Sequence, residues 1–229
     1  LVTLIMAAAA WFFPPQLAQV QSSYQVVGFV GYYAYGGSLA ERLALQPWYR
    51  WDTINYLLIA EHGYSATEST AVWPPLYPAL ISAFSALTGN PLLAALLVSN
   101  LAAWAFCILL YGYTARYFSP ELAGNTLTWF LVYPAAFFLV AGYSEAVFLT
   151  PALLSLAAAR ERKWLWAALL AALAALVRNQ GLLLALPFLI WMLQDGFWPQ
   201  LRRWRWLLPR LAALAAAPAA FAGHALYVK

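Results

Sequence analysis

The sequence predicts an all-α polytopic membrane protein of about seven transmembrane helices in a single domain, residues 1–229. Three observations carry that reading. Hydrophobic residues make up 65% of the chain and charged residues 9%, against roughly 25% charged in a soluble domain. The apolar residues come in long Leu/Ala-rich runs without the period-two alternation of a β-barrel. The Lys and Arg residues sit in short clusters between those runs, where orientation signals lie. The net charge of +4 is therefore no sign of a nucleic-acid partner.

The elements follow in order. Residues 1–13 are apolar and predict part of a first span. The chain opens on Leu1 rather than Met and stops just after an apolar segment, so a piece of a longer protein is expected. Residues 14–91 predict an outer-face loop with interfacial helices, including an amphipathic surface helix from about Leu39 to Glu61. Residues 92–115 predict the second span, followed by Arg116. Residues 122–159 and 164–194 predict helical hairpins with tips at 142–145 and 178–181, and 211–228 a last helix.

Cationic loops stay on the cytoplasmic side. With Arg116, the 160–163 cluster and the 202–205 cluster placed there, each run between clusters must leave and return. Both hairpin tips and the 46–78 segment then share the outer face. That brings Asp52, Glu145 and Arg178 to one side. The 164–194 hairpin is short of two full spans, so its tip is expected below the membrane surface, with Arg178 at a cavity.

The 46–78 segment holds Asp52, Glu61 and Glu68, three of the eight acidic residues. Carboxylates near hydrocarbon are costly and mark functional sites. Asp52 fits a general base for an attacking hydroxyl; it equally fits an N-cap of a helix starting at Thr53. Glu145 fits a group that orients a hydroxyl, or a charge set against a helix dipole. Arg178 fits a bidentate anion clamp, phosphate first, or a snorkelling helix-end arginine. His62 titrates near neutrality but has no second His or Cys beside it, so no metal site is expected. Cys107 and His224 read as packing residues.

Taken together, these motifs resemble the PIG-V-like family of GT-C membrane glycosyltransferases, the second mannosyltransferases of GPI-anchor assembly and their prokaryotic relatives. The resemblance rests on Arg50-Trp51-Asp52, Tyr56, Ile59-Ala60, Gly63-Tyr64, Pro75-Leu76-Tyr77-Pro78, Tyr143-Ser144-Glu145, and Arg178 with Gly181. It covers residues 50–181. Trp73-Pro74 and Asn179-Gln180 depart from the family pattern and leave donor and acceptor open.

The resemblance implies a GT-C-like helical bundle whose first outer loop carries the essential acid. It implies transfer of a sugar, most readily mannose, from a polyprenyl-phosphate donor to a lipid, glycan or protein acceptor, with inversion. Asp52 is then the catalytic base. Arg178 holds the donor phosphate, and Glu145 and Tyr143 position substrate. Trp51, Tyr64 and Tyr77 line the cavity, with His62 beside it. No cofactor is expected beyond the lipid-linked donor, and the bilayer is the evident partner. A multi-pass protein of a prokaryotic plasma membrane is expected. A small-molecule or lipid transporter, or a non-catalytic subunit of a membrane complex, is the competing class.

Overall fold

The computed structural model describes residues 45, 48–49, 51–64, 70–195 and 203–228. The expected first span, Arg50 and Glu68 lie outside the described residues. Among the described residues the fold is all-helical, with helices α1 (Asp52–His62), α2 (Leu76–Thr88), α3 (Pro91–Tyr117), α4 (Pro120–Val132), α5 (Glu145–Arg160), α6 (Trp164–Val177), α7 (Ala185–Gln194) and α8 (Trp204–Tyr227). Short 3-10 turns at Pro134–Leu139 and Asn179–Leu184 interrupt the two hairpins.

Local chemistry sets several boundaries. Asn90 accepts a hydrogen bond from Leu93 N at 3.0 Å and Pro91 follows at the first helical position, so α3 starts there. Ser119 and Pro120 start α4 in the same way, through Leu122 N at 3.1 Å. α3 and α8, with 27 and 24 residues, are long and apolar enough to cross a bilayer. α6 has 14 residues, about 21 Å of rise, and ends short of a hydrocarbon core of about 30 Å. Large apolar side chains such as Trp104, Trp129, Leu165 and Leu208 face outward, as lipid contact requires.

Small residues let the helices approach. Ala167, Ala171, Ala174 and Ala175 of α6 are buried in one cluster with Ala213 and Ala217 of α8. In lipid such stripes replace hydrophobic exclusion with close backbone packing. Polar groups add fixed links: Ser155 of α5 donates to Ala167 O at 2.8 Å, and Thr150 to Ala102 O of α3 at 3.1 Å.

Two elements differ from the sequence reading. The helix expected from about Leu39 to Glu61 does not run through as one: Trp51, at φ 49°, stands immediately before α1. α1 is no surface helix either, since Thr53, Ile54 and Tyr56 to Ile59 are buried. It packs in one core with α2 and α3, because its apolar residues surround its axis rather than forming one face. The last helix begins at Trp204, seven residues earlier than expected, taking in Arg205 and Arg210.

The 178–184 turn folds back against the end of α6, and Gly181 permits it. A Cβ on Gly181 would fall 2.4 Å from Ala175 N. Gly181→Ala is therefore expected to destabilise the protein by about 1–3 kcal/mol, the usual cost of overpacking. Gly112→Ala, where a Cβ meets nothing within 4 Å, serves as control. Thermal melts of both variants in detergent check this; equal melting temperatures would refute the close approach.

Candidate functional site

The site begins with a turn that a hairpin tip offers to α1. Residues 141–144 form a run of bends between the Pro134–Leu139 turn and α5. Their backbone needs partners in a low-dielectric setting. α1 and α3 supply them. Thr53 Oγ1 donates to Gly142 O at 3.0 Å, and Ser99 Oγ donates to Tyr143 O at 2.7 Å. Asn100 Nδ2 donates to Val140 O at 2.9 Å. Gly142 suits this approach, because a Cβ there would meet Thr53 Cγ2 at 3.0 Å.

Ser144 is the meeting point. It is fully buried. Its Oγ lies 2.7 Å from the Tyr56 hydroxyl and accepts from Arg178 Nη1 at 3.1 Å. The same Arg178 Nη1 donates to Glu145 Oε1, closing an ion pair between the start of α5 and the end of α6. Arg178 Nε reaches Gln180 Oε1 at 3.4 Å. Glu145 Oε2 is buried and has no hydrogen-bond partner.

Asp52, the first residue of α1, lies within electrostatic reach of Arg178. Its carboxylate makes no hydrogen bond among the described residues, so it does not act as a helix cap. Burial pushes its pKa above the ordinary carboxylate value, and the Arg178 charge opposes that only in part. Tyr56, one turn further along α1, has its phenol pushed up to about 12 by burial and stays neutral. Trp51, 59% exposed, carries a left-handed φ that a non-glycine residue adopts only at a cost of about 1–3 kcal/mol. Such strain beside the Asp52 carboxylate is the kind kept at functional positions.

The structure therefore brings together Asp52, Tyr143, Glu145 and Arg178, with Trp51 adjoining. It places three other expected residues elsewhere. Tyr77 is 0% exposed and bonded to Ser99 at 2.7 Å, behind Tyr56, so it buttresses the site without lining a cavity. Tyr64 donates to Trp73 O at 2.7 Å and stacks near His224 and Tyr227 of α8. His62 is exposed beside Glu61, ten residues or about 15 Å along α1 from Asp52. Sequence reasoning missed Thr53, Tyr56 and Ser99 as site builders. The i, i+4 spacing of Asp52 and Tyr56 on one helix face was the available signal. His224, expected as mere packing, also bonds Ala71 O through Nε2 at 3.2 Å and ties α8 to the segment before α2. Among the described residues no three His, Cys, Asp or Glu side chains gather as a metal site would need.

Outward-facing apolar helices with an acid and an ion pair gathered at one bundle end define a helical membrane protein with a polar end site. The chain belongs to the dolichyl-phosphate-mannose-protein mannosyltransferase family, which matches residues 72–226. It is similar to GPI alpha-1,6-mannosyltransferase 2 of Mus musculus, 37% identical over 207 residues, covering 81% of this chain and 37% of that protein. The Rattus norvegicus protein of the same name is 37% identical over 168 residues, covering 65% and 32%. GPI mannosyltransferase 2 of Schizosaccharomyces pombe is 29% identical over 140 residues, covering 59% and 30%. The chain thus spans about a third of the length of these curated relatives. No solved structure matches it.

The Glu145–Arg178 pair is half-buried, so its partners depend on each other. A double-mutant cycle with Glu145→Gln and Arg178→Gln is expected to show a coupling of about 0.5–3 kcal/mol in unfolding free energy. Denaturation of the four proteins measures it, and additive effects would mean that the pair does not hold α5 to α6.

Proposed function

We propose that this protein is a membrane glycosyltransferase that moves a sugar, most readily mannose, from a polyprenyl-phosphate donor to an acceptor hydroxyl with inversion. The observation that carries this reading is the division of labour among three ionisable side chains. Asp52 is partly buried, without an ion-pair partner among the described residues, and close to Arg178. Glu145 is tied to Arg178 by one oxygen and keeps the other free. Relatives named as mannosyltransferases and the family match supply the sugar class.

In this mechanism the acceptor hydroxyl attacks the anomeric carbon on the face opposite the phosphate. Asp52 takes the hydroxyl proton as the new C–O bond forms. The bond from the anomeric carbon to the phosphate oxygen breaks, and its electron pair leaves with the phosphate. Arg178 faces that developing charge and stabilises it. Glu145 Oε2 accepts from a sugar hydroxyl, fixing the ring. The site lies at the bundle end away from the cationic loops, on the outer face. A transporter would also set ionisable groups at the ends of broken helices; the relatives named as mannosyltransferases favour the enzyme.

Asp52→Asn tests the base. Loss of general-base help is worth roughly 10²–10⁴-fold, so transfer from polyprenyl-phosphate mannose in membranes should fall at least about a hundredfold. Retention of more than about a tenth of the rate would sink the assignment. The pKa direction adds a second readout. In the folded state the neutral carboxyl is favoured, so Asp52 supports folding below its unfolded pKa of about 3.9 and loses that contribution as pH rises through its elevated folded value. At neutral pH the Asn variant should therefore melt higher than wild type, with the gain vanishing near pH 4. The wild-type transfer rate should fall on acidification already above the ordinary carboxylate range.

Arg178→Lys tests the phosphate clamp. Lys keeps the charge and loses the planar fork that grips two oxygens at once. Donor KM should rise several-fold or more while acceptor KM holds, and kcat should drop with weaker leaving-group stabilisation. A snorkelling arginine would accept Lys without kinetic change, so unchanged donor kinetics would return Arg178 to a structural role.

A further inference from the structure

The bundle end opposite Asp52 holds a second polar site. Arg162 lies between the end of α5 and the start of α6, Asp195 at the end of α7, and Arg203, Arg205 and Arg210 at or near the start of α8. Together with Trp204 and Trp206 these side chains line a cavity of about 730 Å³. That volume is in the range of small-ligand sites.

The charges in it do not cancel. Asp195 is the one acidic lining residue, and both its oxygens are taken. Arg162 donates to Oδ1 at 2.7 Å and Arg210 to Oδ2 at 3.0 Å. Four arginines against one carboxylate leave a net +3. Arg203 and Arg205 have no acidic partner among the described residues. Arg210 is also held in place: it is only 6% exposed, its guanidinium lies 4.0 Å over the Trp206 ring, and its Nη1 donates to Trp206 O at 3.0 Å. Its buried Nε has no partner.

Orientation of a membrane protein needs positive loops but no cavity. An open pocket lined by a buried arginine with an unmet N–H suits an anion with several oxygens. Phosphate is the anion whose geometry suits converging guanidinium forks, and basic pockets between helices on the cationic side of a membrane suit lipid headgroups. Exposed Trp204 and Leu208 beside the pocket would meet the acyl chains. We propose that this pocket binds the phosphodiester headgroup of an anionic phospholipid, and that the lipid staples α7 and α8 to the α5–α6 loop. A free phosphate shares the chemistry, and the test separates the two.

The full protein is purified from nanodiscs containing phosphatidylglycerol or phosphatidylcholine, and retained lipid is counted by native mass spectrometry. Phosphatidylglycerol should be retained and phosphatidylcholine not. Each arginine near a lipid surface is worth a factor of about five, so Arg203→Gln with Arg205→Gln should weaken retention about 30-fold. Both side chains are exposed, so folding should survive. If the double variant fails to purify, the Lys pair is read instead; it keeps the charge, loses the fork, and should still retain less lipid. Asp52→Asn should retain as much as wild type, which separates this site from the transfer reading. Equal retention of the two lipids, or wild-type retention in both arginine variants, overturns the proposal. Displacement of the lipid by millimolar inorganic phosphate overturns it in favour of a free anion.

Discussion

One buried hydroxyl, that of Ser144, decides how the rest of the site is built. It meets the Tyr56 phenol from α1 and the Arg178 guanidinium from the end of α6, while Ser144 itself precedes α5. Three segments far apart in sequence therefore converge on a single oxygen. Near hydrocarbon an unmet polar group costs several kcal/mol, so removing any of the three partners leaves the others exposed to that cost. The neighbouring bonds from Thr53 to Gly142 and from Ser99 to Tyr143 extend the same constraint along the tip. Tyr77 supports it from behind, through Ser99. The tip of the first hairpin is thus held by side chains rather than by secondary structure.

That arrangement explains why the residues flanking the site are small or strained. Gly142 leaves room for Thr53, and Gly181 lets the turn after Arg178 fold against Ala175. Trp51 takes a left-handed φ so that the chain reaches Asp52 and then becomes helical at once. Each of these positions gives up local comfort to fix a polar side chain. At the other bundle end one pairing is looser and more exposed: Arg116 and Lys163 share Glu161 at 2.9 and 2.7 Å. Those charges hold the Glu161 carboxyl below its usual range. Exposed pairs of this kind contribute little to stability, and they suit loops whose main task is orientation.

Much of this was legible in the sequence, for physical reasons. Composition and run length identify membrane helices because the bilayer permits little else. Isolated carboxylates and arginines in apolar runs stood out because they are costly there, and Asp52, Glu145 and Arg178 lie close together. Other features were hidden. The aromatic residues of the 46–78 segment look alike in sequence, yet Trp51 is exposed, Tyr77 wholly buried, and Tyr64 turned toward α8. Only packing tells them apart. Over residues 52–61 the expected surface helix is instead buried, because apolar residues on all sides of α1 read weakly as amphipathic and strongly as buried once α2 and α3 enclose them; most of residues 39–50 lie outside the described residues. Thr53 and Ser99 carried no sequence signal, since a hydroxyl serving a distant carbonyl has no local signature.

The two carboxylates of the site differ by one contact, and the chemistry follows from it. Glu145 is neutralised by Arg178 and immobilised at the start of α5. Burial pushes the Glu145 carboxyl above its ordinary value as well, with the Arg178 charge opposing it, and taking a proton would break the ion pair and leave the guanidinium uncompensated. Asp52 has no such partner among the described residues. Burial alone raises its pKa, and Arg178 is near enough to keep the elevation from running further. The same arginine therefore fixes one acid, moderates the other and keeps its remaining N–H groups for an anion. Exchanging the two roles would require a new cation at Asp52 and the loss of Ser144 as the shared acceptor, which would also untie α1 from the hairpin tip. The placement of Arg178 near both acids accordingly sets the fold of this bundle end and the reactivity of Asp52 together.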